Sequence, residues 1–277
     1  KAEIELAKTS EKLKIPFLLL FKESVLTEIE EKYLRHVLKK IQKINGYKIA
    51  VYSDYTKKIF TETNFTDEDK IDVVGCSRLS KSISFKKKLP KNQILYYAIE
   101  NRRGLADPYI EYYGDKFFND LKEHKQHNSK YNWNFLHIKT LKILKKFAIK
   151  NPEISIIIKI KTGQSQNLKQ YHNLPNNIKL QYFGVGHHLL EKSKVVIAWN
   201  TTAILEGIAA NRFILLPYFT SKNYKIKKDS ELALKLKNEN YGYSENDFYK
   251  KLDLFIKKKF KINQNNNNQY QLKYHLA

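Results

Sequence analysis

Short apolar runs of strand length alternate with longer amphipathic stretches along most of this chain, and that alternation restricts its fold more than any other feature. A tight turn cannot join two parallel strands; a crossover of a dozen or more residues can, and it is usually a helix. A chain that reads strand, helix, strand, helix is therefore an α/β fold. The first series opens with a charged, helix-like stretch, Lys1 to Lys14. Phe17 to Phe21 then reads as a strand, Val25 to Ile44 as a helix, Lys48 to Tyr52 as a strand and Asp54 to Glu62 as a helix. Ile71 to Val74 is a further strand, closed by Gly75. Residues 77–91 have no good period, carry several Ser and Lys, and run up to Pro90, so they read as a linker.

A second series starts with the strand Gln93 to Ala98, followed by a polar turn, Asn101 to Gly104. Residues 107–128 are aromatic and irregular. Tyr131 to Lys150 is a helix with Phe135, Ile138, Leu141, Leu144 and Ala148 at helical spacing, ended by Asn151-Pro152. Ile154 to Ile160 is a β-branched strand, Asn177 to Gln181 a short strand and His188 to Lys192 a short helix. Lys194 to Trp199 is a buried strand, Thr202 to Ala210 a helix, Phe213 to Pro217 a strand and Ser244 to Phe260 a final helix. The expected architecture is two Rossmann-like α/β units: residues 1–76, a linker over 77–91, and 92–262, with a low-complexity tail at 263–277. In such sheets ligands bind beyond the carboxyl ends of the strands, which says where to look for chemistry.

Composition narrows the class. Hydrophobic residues make up 42% and aromatic residues 13%, enough for a packed core rather than a disordered chain. A single cysteine, Cys76, excludes an internal disulfide and a cysteine-based zinc site. No apolar run approaches the roughly 18 to 20 residues that span a bilayer, and the first residues lack the apolar core of a signal peptide. The expectation is an intracellular globular protein. There is no Met, and the chain opens inside a helix-like stretch, so it reads as part of a longer protein whose first unit is incomplete. The net charge of +23 invites a nucleic-acid role, but only five of the 51 basic residues are Arg, the residue whose bidentate fork such interfaces favour. Lys is abundant together with Asn, Ile and Tyr, as an AT-rich genome produces, and it is spread along the whole length.

The most informative stretch runs from Val195 to Pro217. A buried strand leads straight into Asn200-Thr201-Thr202 at a helix start. The first turn of a helix leaves backbone N–H groups unpaired, and the macrodipole favours an anion there. The Thr201 and Thr202 hydroxyls add donors. Glu206 lies one turn after Thr202 on the same face, where a carboxylate can accept from a ribose diol. The alternative is that Asn200 or Thr201 caps the helix and Glu206 is a solvated charge.

This stretch resembles the nucleotide-binding helix of GT-B glycosyltransferases. It is most similar to bacterial capsular and surface-polysaccharide biosynthesis proteins, which are related to the CDP-glycerol glycerophosphotransferases of teichoic acid synthesis. Asn200, Thr201, Thr202, Glu206, Ala210 and Pro217 match the family pattern, and Asn211 stands where the family usually has Gly. Lys22-Glu23, Ser53, the Val74-Gly75-Cys76-Ser77-Arg78 segment and Lys159-Ile160-Lys161 resemble further family positions. Ser80 departs from an Asp that often follows that Arg, and no His-Pro follows Lys159, so a catalytic His there is not implied.

The resemblance implies a transferase taking a sugar from a nucleotide donor in surface polysaccharide synthesis. Glycerophosphate transfer and sugar-nucleotide epimerisation on the same fold are alternatives, and an RNA-binding or scaffold protein is the non-enzymatic one. Glu23 and Arg78 are the candidate catalytic groups. Asn200, Thr201, Thr202, Glu206, Lys159, Arg102, Arg103, His187 and His188 are candidates for the donor nucleotide and its phosphates, with Lys161 a weaker one. Developing negative charge on a departing nucleotide is stabilised by such cations and by helix N-termini. Gly184-Val185-Gly186-His187-His188 is a glycine-containing loop that the resemblance brings near the donor. The His pair has no companion cluster at ligand spacing, so no metal is expected. No cofactor is implied beyond the nucleotide donor as substrate. The expected partners are that donor, a lipid-linked or saccharide acceptor and an anionic membrane surface, with no nucleic acid. The expected location is cytoplasmic, at the inner membrane face.

Overall fold

The computed structural model describes residues 2–21, 28–41, 43–44, 48–88, 90–99, 133–160, 168–184, 186–199, 201–219 and 236–258. The described residues up to Ser80 form one compact α/β unit and those from Lys81 onward form another.

The first unit holds three parallel strands in the order β1 (Leu18–Phe21), β2 (Lys48–Val51) and β3 (Ile71–Val73). Its helices are α1 (Ala2–Lys12), α2 (Glu28–Lys40) and α3 (Asp54–Glu62). Helix α3 starts where Ser53 is extended and its Oγ accepts from the Thr56 N–H, a capping bond. Its apolar face buries Ile59 and Phe60 against Ile49 and Val51 of β2 and Ile71 of β3. The Phe60 ring meets Phe21 and Phe65 edge-on at 5.1 and 5.2 Å.

Helix α4 (Ser77–Ser84) and a 3-10 turn, Phe85–Lys87, occupy the stretch expected to lack a period. The reason is visible in what it buries: Leu79 is 6% exposed and the next inward position is Ser82, fully buried. A serine on the inward face hides the period from any hydropathy reading.

The second unit is a six-stranded sheet in which every pairing is parallel. Its strands are β4 (Gln93–Tyr97), β5 (Ser155–Lys159), β6 (Ile178–Gln181), β7 (Val195–Ile197), β8 (Phe213–Pro217) and β9 (Tyr241–Gly242). They lie in the order β6-β5-β4-β7-β8-β9. Counted within the unit this is 3-2-1-4-5-6, the Rossmann order. The helices are α5 (Trp133–Lys150), α6 (His187–Lys192), α7 (Ala203–Ala209) and α8 (Glu245–Lys257). A parallel sheet is covered on both faces, so its central strands are apolar along their middles: Ile156, Ile158 and all of β7 are fully buried. Ser244 starts α8 by accepting from the Asp247 N–H. Beyond it Phe248 and Leu252 are fully buried, and Phe255 stacks on Phe213 at 5.1 Å.

Two readings change. Ile138, placed by spacing on the inward stripe of α5, is 48% exposed; His137 beside it points inward instead, at 2% exposure. Strand β9 has no counterpart in the sequence reading. It is two residues long and ends in Gly242, which reads as a breaker. A Cβ there would lie 2.5 to 3.0 Å from atoms of Phe248, the Phe248 backbone included, so glycine is what lets α8 start this close to the sheet.

Candidate functional site

The order of the strands reverses between β4 and β7, which are paired through Ile94–Val195 to Tyr96–Ile197. The chain leaves β4 toward β5 on one side and β7 toward β8 on the other. Connections that diverge in this way leave a crevice at the carboxyl ends of the two strands. Tyr97, Ala98 and Ile99 stand at the end of β4, and Ala198, Trp199, Thr201 and Thr202 at the end of β7.

Thr202 precedes α7 in a helical conformation, and its side chain makes no capping bond. Thr201 Oγ1 instead accepts from the Ala203 N–H at 3.4 Å, a long bond. The carbonyls of Thr201 and Thr202 accept from Ile204 and Leu205 at 3.0 and 2.9 Å, closing the first turn. Every residue of α7 is buried, Glu206 included at 5% exposure, so that carboxylate is not a solvated helix charge. A buried carboxylate must be held by partners.

The far end of α7 needs a residue that tolerates a left-handed backbone, and Asn211 supplies it. Asn211 has φ +59°, with its N–H on the Ile208 carbonyl and the Arg212 N–H on the Gly207 carbonyl. This is a Schellman end, whose left-handed residue is usually Gly and sometimes Asn.

Lys159 ends β5 and is 9% exposed. Its ammonium donates to the carbonyls of Ile160 at 2.8 Å and Tyr182 at 3.0 Å, tying the ends of β5 and β6 together. Burial lowers its pKa from the ordinary lysine value.

His187 and His188 open α6, with their rings 5.9 Å apart. Gly186 before them packs on the last residue of β4: a Cβ there would lie 2.6 Å from Tyr97 Oη. The start of α6 is thereby fixed beside the reversal point. Its other end is held by Arg212, which is 1% exposed. The guanidinium donates to the carbonyls of Leu190 (3.0 Å), Glu191, Lys88 and Phe85 (3.2 Å each). Burial lowers the Arg212 pKa to about 10, with nearby Glu191 acting the other way.

Thus the described candidates Thr201, Thr202, Glu206, Lys159, His187 and His188 all belong to the carboxyl side of the second sheet or to the helices that start there. Glu23, Arg102, Arg103, Lys161 and Asn200 lie outside the described residues, as does the Arg78 side chain on α4. The sequence reading missed Tyr97, which seats Gly186, and the aromatic row formed by Trp199, Tyr218 and Tyr241. Those rings are 5.6 and 5.5 Å apart in succession; Trp199 and Tyr218 lie just past β7 and β8, and Tyr241 opens β9. The available signal was an aromatic residue just past the end of β7 and of β8. Among the described residues no three His, Cys, Asp or Glu side chains gather as a metal site would require. No described helix is long and apolar enough to cross a membrane.

No family model matches the chain, and no curated protein matches it. Among solved structures, HepE of Anabaena in complex with UDP is similar over 99% of this chain and 72% of its own, at 9% identity and a TM-score of 0.47. Arabidopsis thaliana UGT89C1, complexed with UDP, is similar over 98% of this chain and 63% of its own, at 9% identity and 0.45. A glycosyltransferase from Rickettsia africae is similar over 98% and 75%, at 14% identity and 0.42. At such values no chemistry transfers from these proteins, and the site is read from this chain's own residues.

Proposed function

We propose that the second unit binds a nucleotide-activated donor at the carboxyl ends of β4 and β7, and that the protein is a GT-B glycosyltransferase of bacterial surface-polysaccharide synthesis. The observation that carries this reading is topological. The segment singled out by sequence, Thr201 to Glu206, directly follows the strand at which the 3-2-1-4-5-6 order reverses. In this reading the donor phosphates take the Thr201 and Thr202 hydroxyls and the neighbouring N–H groups, displacing the long Thr201–Ala203 bond. Glu206 accepts from the ribose, and the start of α6 borders the base. The glycosyl group passes to an acceptor hydroxyl, and the leaving nucleotide carries the negative charge that these donors stabilise. A lipid-linked or saccharide acceptor completes the reaction.

Thermal unfolding in the presence of CDP, CMP, UDP or GDP tests the reading. One of them, at 100 times its dissociation constant, stabilises the protein by about 2.7 kcal/mol. No shift with any nucleotide removes the donor site.

The residue test is sharper. Glu206→Gln keeps the shape and removes the charge. Charged hydrogen bonds contribute roughly 1.5 to 3 kcal/mol, so nucleotide affinity falls about tenfold or more. Thr202→Val deletes one hydroxyl and weakens nucleotide binding with little loss of stability, since that hydroxyl makes no cap bond. If these residues only end and cap a helix, both variants keep the wild-type nucleotide affinity, as measured by calorimetry.

A further inference from the structure

We propose that the outer face of α5 is a docking surface for an anionic lipid bilayer. The helix runs from Trp133 to Lys150 and carries five Lys and no Asp or Glu. Its outward stripe follows the spacing i, i+4, i+7, i+11: Ile138, Lys142, Lys145, Ile149. The two isoleucines are 48% and 71% exposed, three turns apart on a face that an ordinary surface helix fills with polar residues. The inward face is already complete without them, with Leu136, Leu144 and Phe147 fully buried.

Among the described residues no carboxylate pairs with Lys142 or Lys145 on the stripe. Lys139, on the flank toward α8, is paired with Glu245, and Lys145 donates to the His172 carbonyl at 3.0 Å. Lys146 and Lys150 lie over the Tyr249 ring at 5.9 Å each, a contact that leaves their charge in place, and Lys142 is exposed. Lysines near an anionic leaflet attract it without needing a fixed fork geometry, and aliphatic side chains among them enter the headgroup boundary. A nucleic acid explains the lysines and leaves the exposed isoleucines without a use. Of the two polyanions, the bilayer is therefore the one that matches both residue types.

The inference is independent of the donor site, because vesicle affinity is read without nucleotide. The whole protein is sedimented with vesicles of phosphatidylcholine alone or of equal parts phosphatidylcholine and phosphatidylglycerol. Binding is expected to the anionic vesicles only, and to weaken as salt rises. Lys142→Glu with Lys146→Glu lowers that affinity by more than about 30-fold, roughly a factor of five per lost lysine with the repulsion of two added carboxylates on top. Ile149→Ser lowers it by about fivefold while leaving the charge intact. All three positions are exposed, so melting temperatures stay at the wild-type value; if the double variant melts lower, Lys142→Gln with Lys146→Gln takes its place. Wild-type protein that ignores the anionic vesicles overturns the proposal, and so does unchanged affinity in the Lys and Ile variants. Binding of a single-stranded RNA that is lost with the lysines but indifferent to Ile149→Ser, without vesicle binding, reassigns the face to nucleic acid.

Discussion

Replacing Arg212 with Met lowers the stability of the protein by about 4 kcal/mol, because the buried acceptors it serves then have no donor. The side chain reaches four carbonyl oxygens, two at the end of α6 and two in the stretch before β4. Methionine fills much of the volume and supplies no N–H. Arg212→Lys keeps the cation, but a single ammonium cannot span positions that three guanidinium nitrogens reach, so about half of the loss remains. Urea unfolding of the three proteins measures this; a loss below about 1 kcal/mol for Arg212→Met shows that water replaces the guanidinium and that the contacts are not what hold α6. The position matters to the site as well as to stability. Arg212 holds one end of the helix whose other end, at Gly186, packs on Tyr97.

The second large effect is a loss of stability in mild acid that traces to His137. The ring is 2% exposed, stacks on Tyr96 at 5.7 Å, meets Tyr171 edge-on at 5.6 Å, and places Nδ1 2.7 Å from Tyr96 Oη. Burial lowers its pKa from 6.5 to about 4. The folded protein therefore resists a proton that the unfolded chain accepts. Stability contributed by the neutral ring is present above the unfolded pKa, falls as pH drops through the window between about 6.5 and 4, and falls no further once the folded protein also takes the proton. A depression of this size corresponds to about 3 kcal/mol across the window, of which about 2 kcal/mol is lost between pH 7 and pH 5. His137→Gln has nothing to titrate, so its urea midpoint should change less over that interval. An equal change in variant and wild type assigns the acid sensitivity to other groups.

The alternation of apolar runs and amphipathic stretches was legible wherever each element carried its own period. Helix α3 is found at Asp54–Glu62, the bounds read from sequence, because Ser53 caps its start and Ile59 and Phe60 mark its inward face. Strand β8 likewise spans Phe213–Pro217, as five consecutive apolar residues bounded by Arg and Tyr require. Helix α4 was hidden because Ser82 occupies an inward position, and β9 because two residues ending in Gly carry no period at all. The candidate site was legible in part: the strand, the two threonines and the carboxylate stand in a short local pattern from Val195 to Glu206.

What the sequence determined by itself is local. Apart from α4 and β9 it set which segments are strands and helices, and it placed Thr201, Thr202 and Glu206 at the junction of one strand with one helix, because hydrophobic period, caps and turn residues act over a few positions. Only the tertiary structure decided the order of the strands, and with it that β7 lies beside β4 at the reversal point. It also decided that Lys159 spends its ammonium on two carbonyls, that Glu206 is buried and that Arg212 is the buried clasp of α6. Pairing partners and desolvation depend on residues up to 127 positions apart, as Arg212 and Phe85 are, and no local pattern encodes a contact whose two halves are recognisable only once the sheet has brought them together.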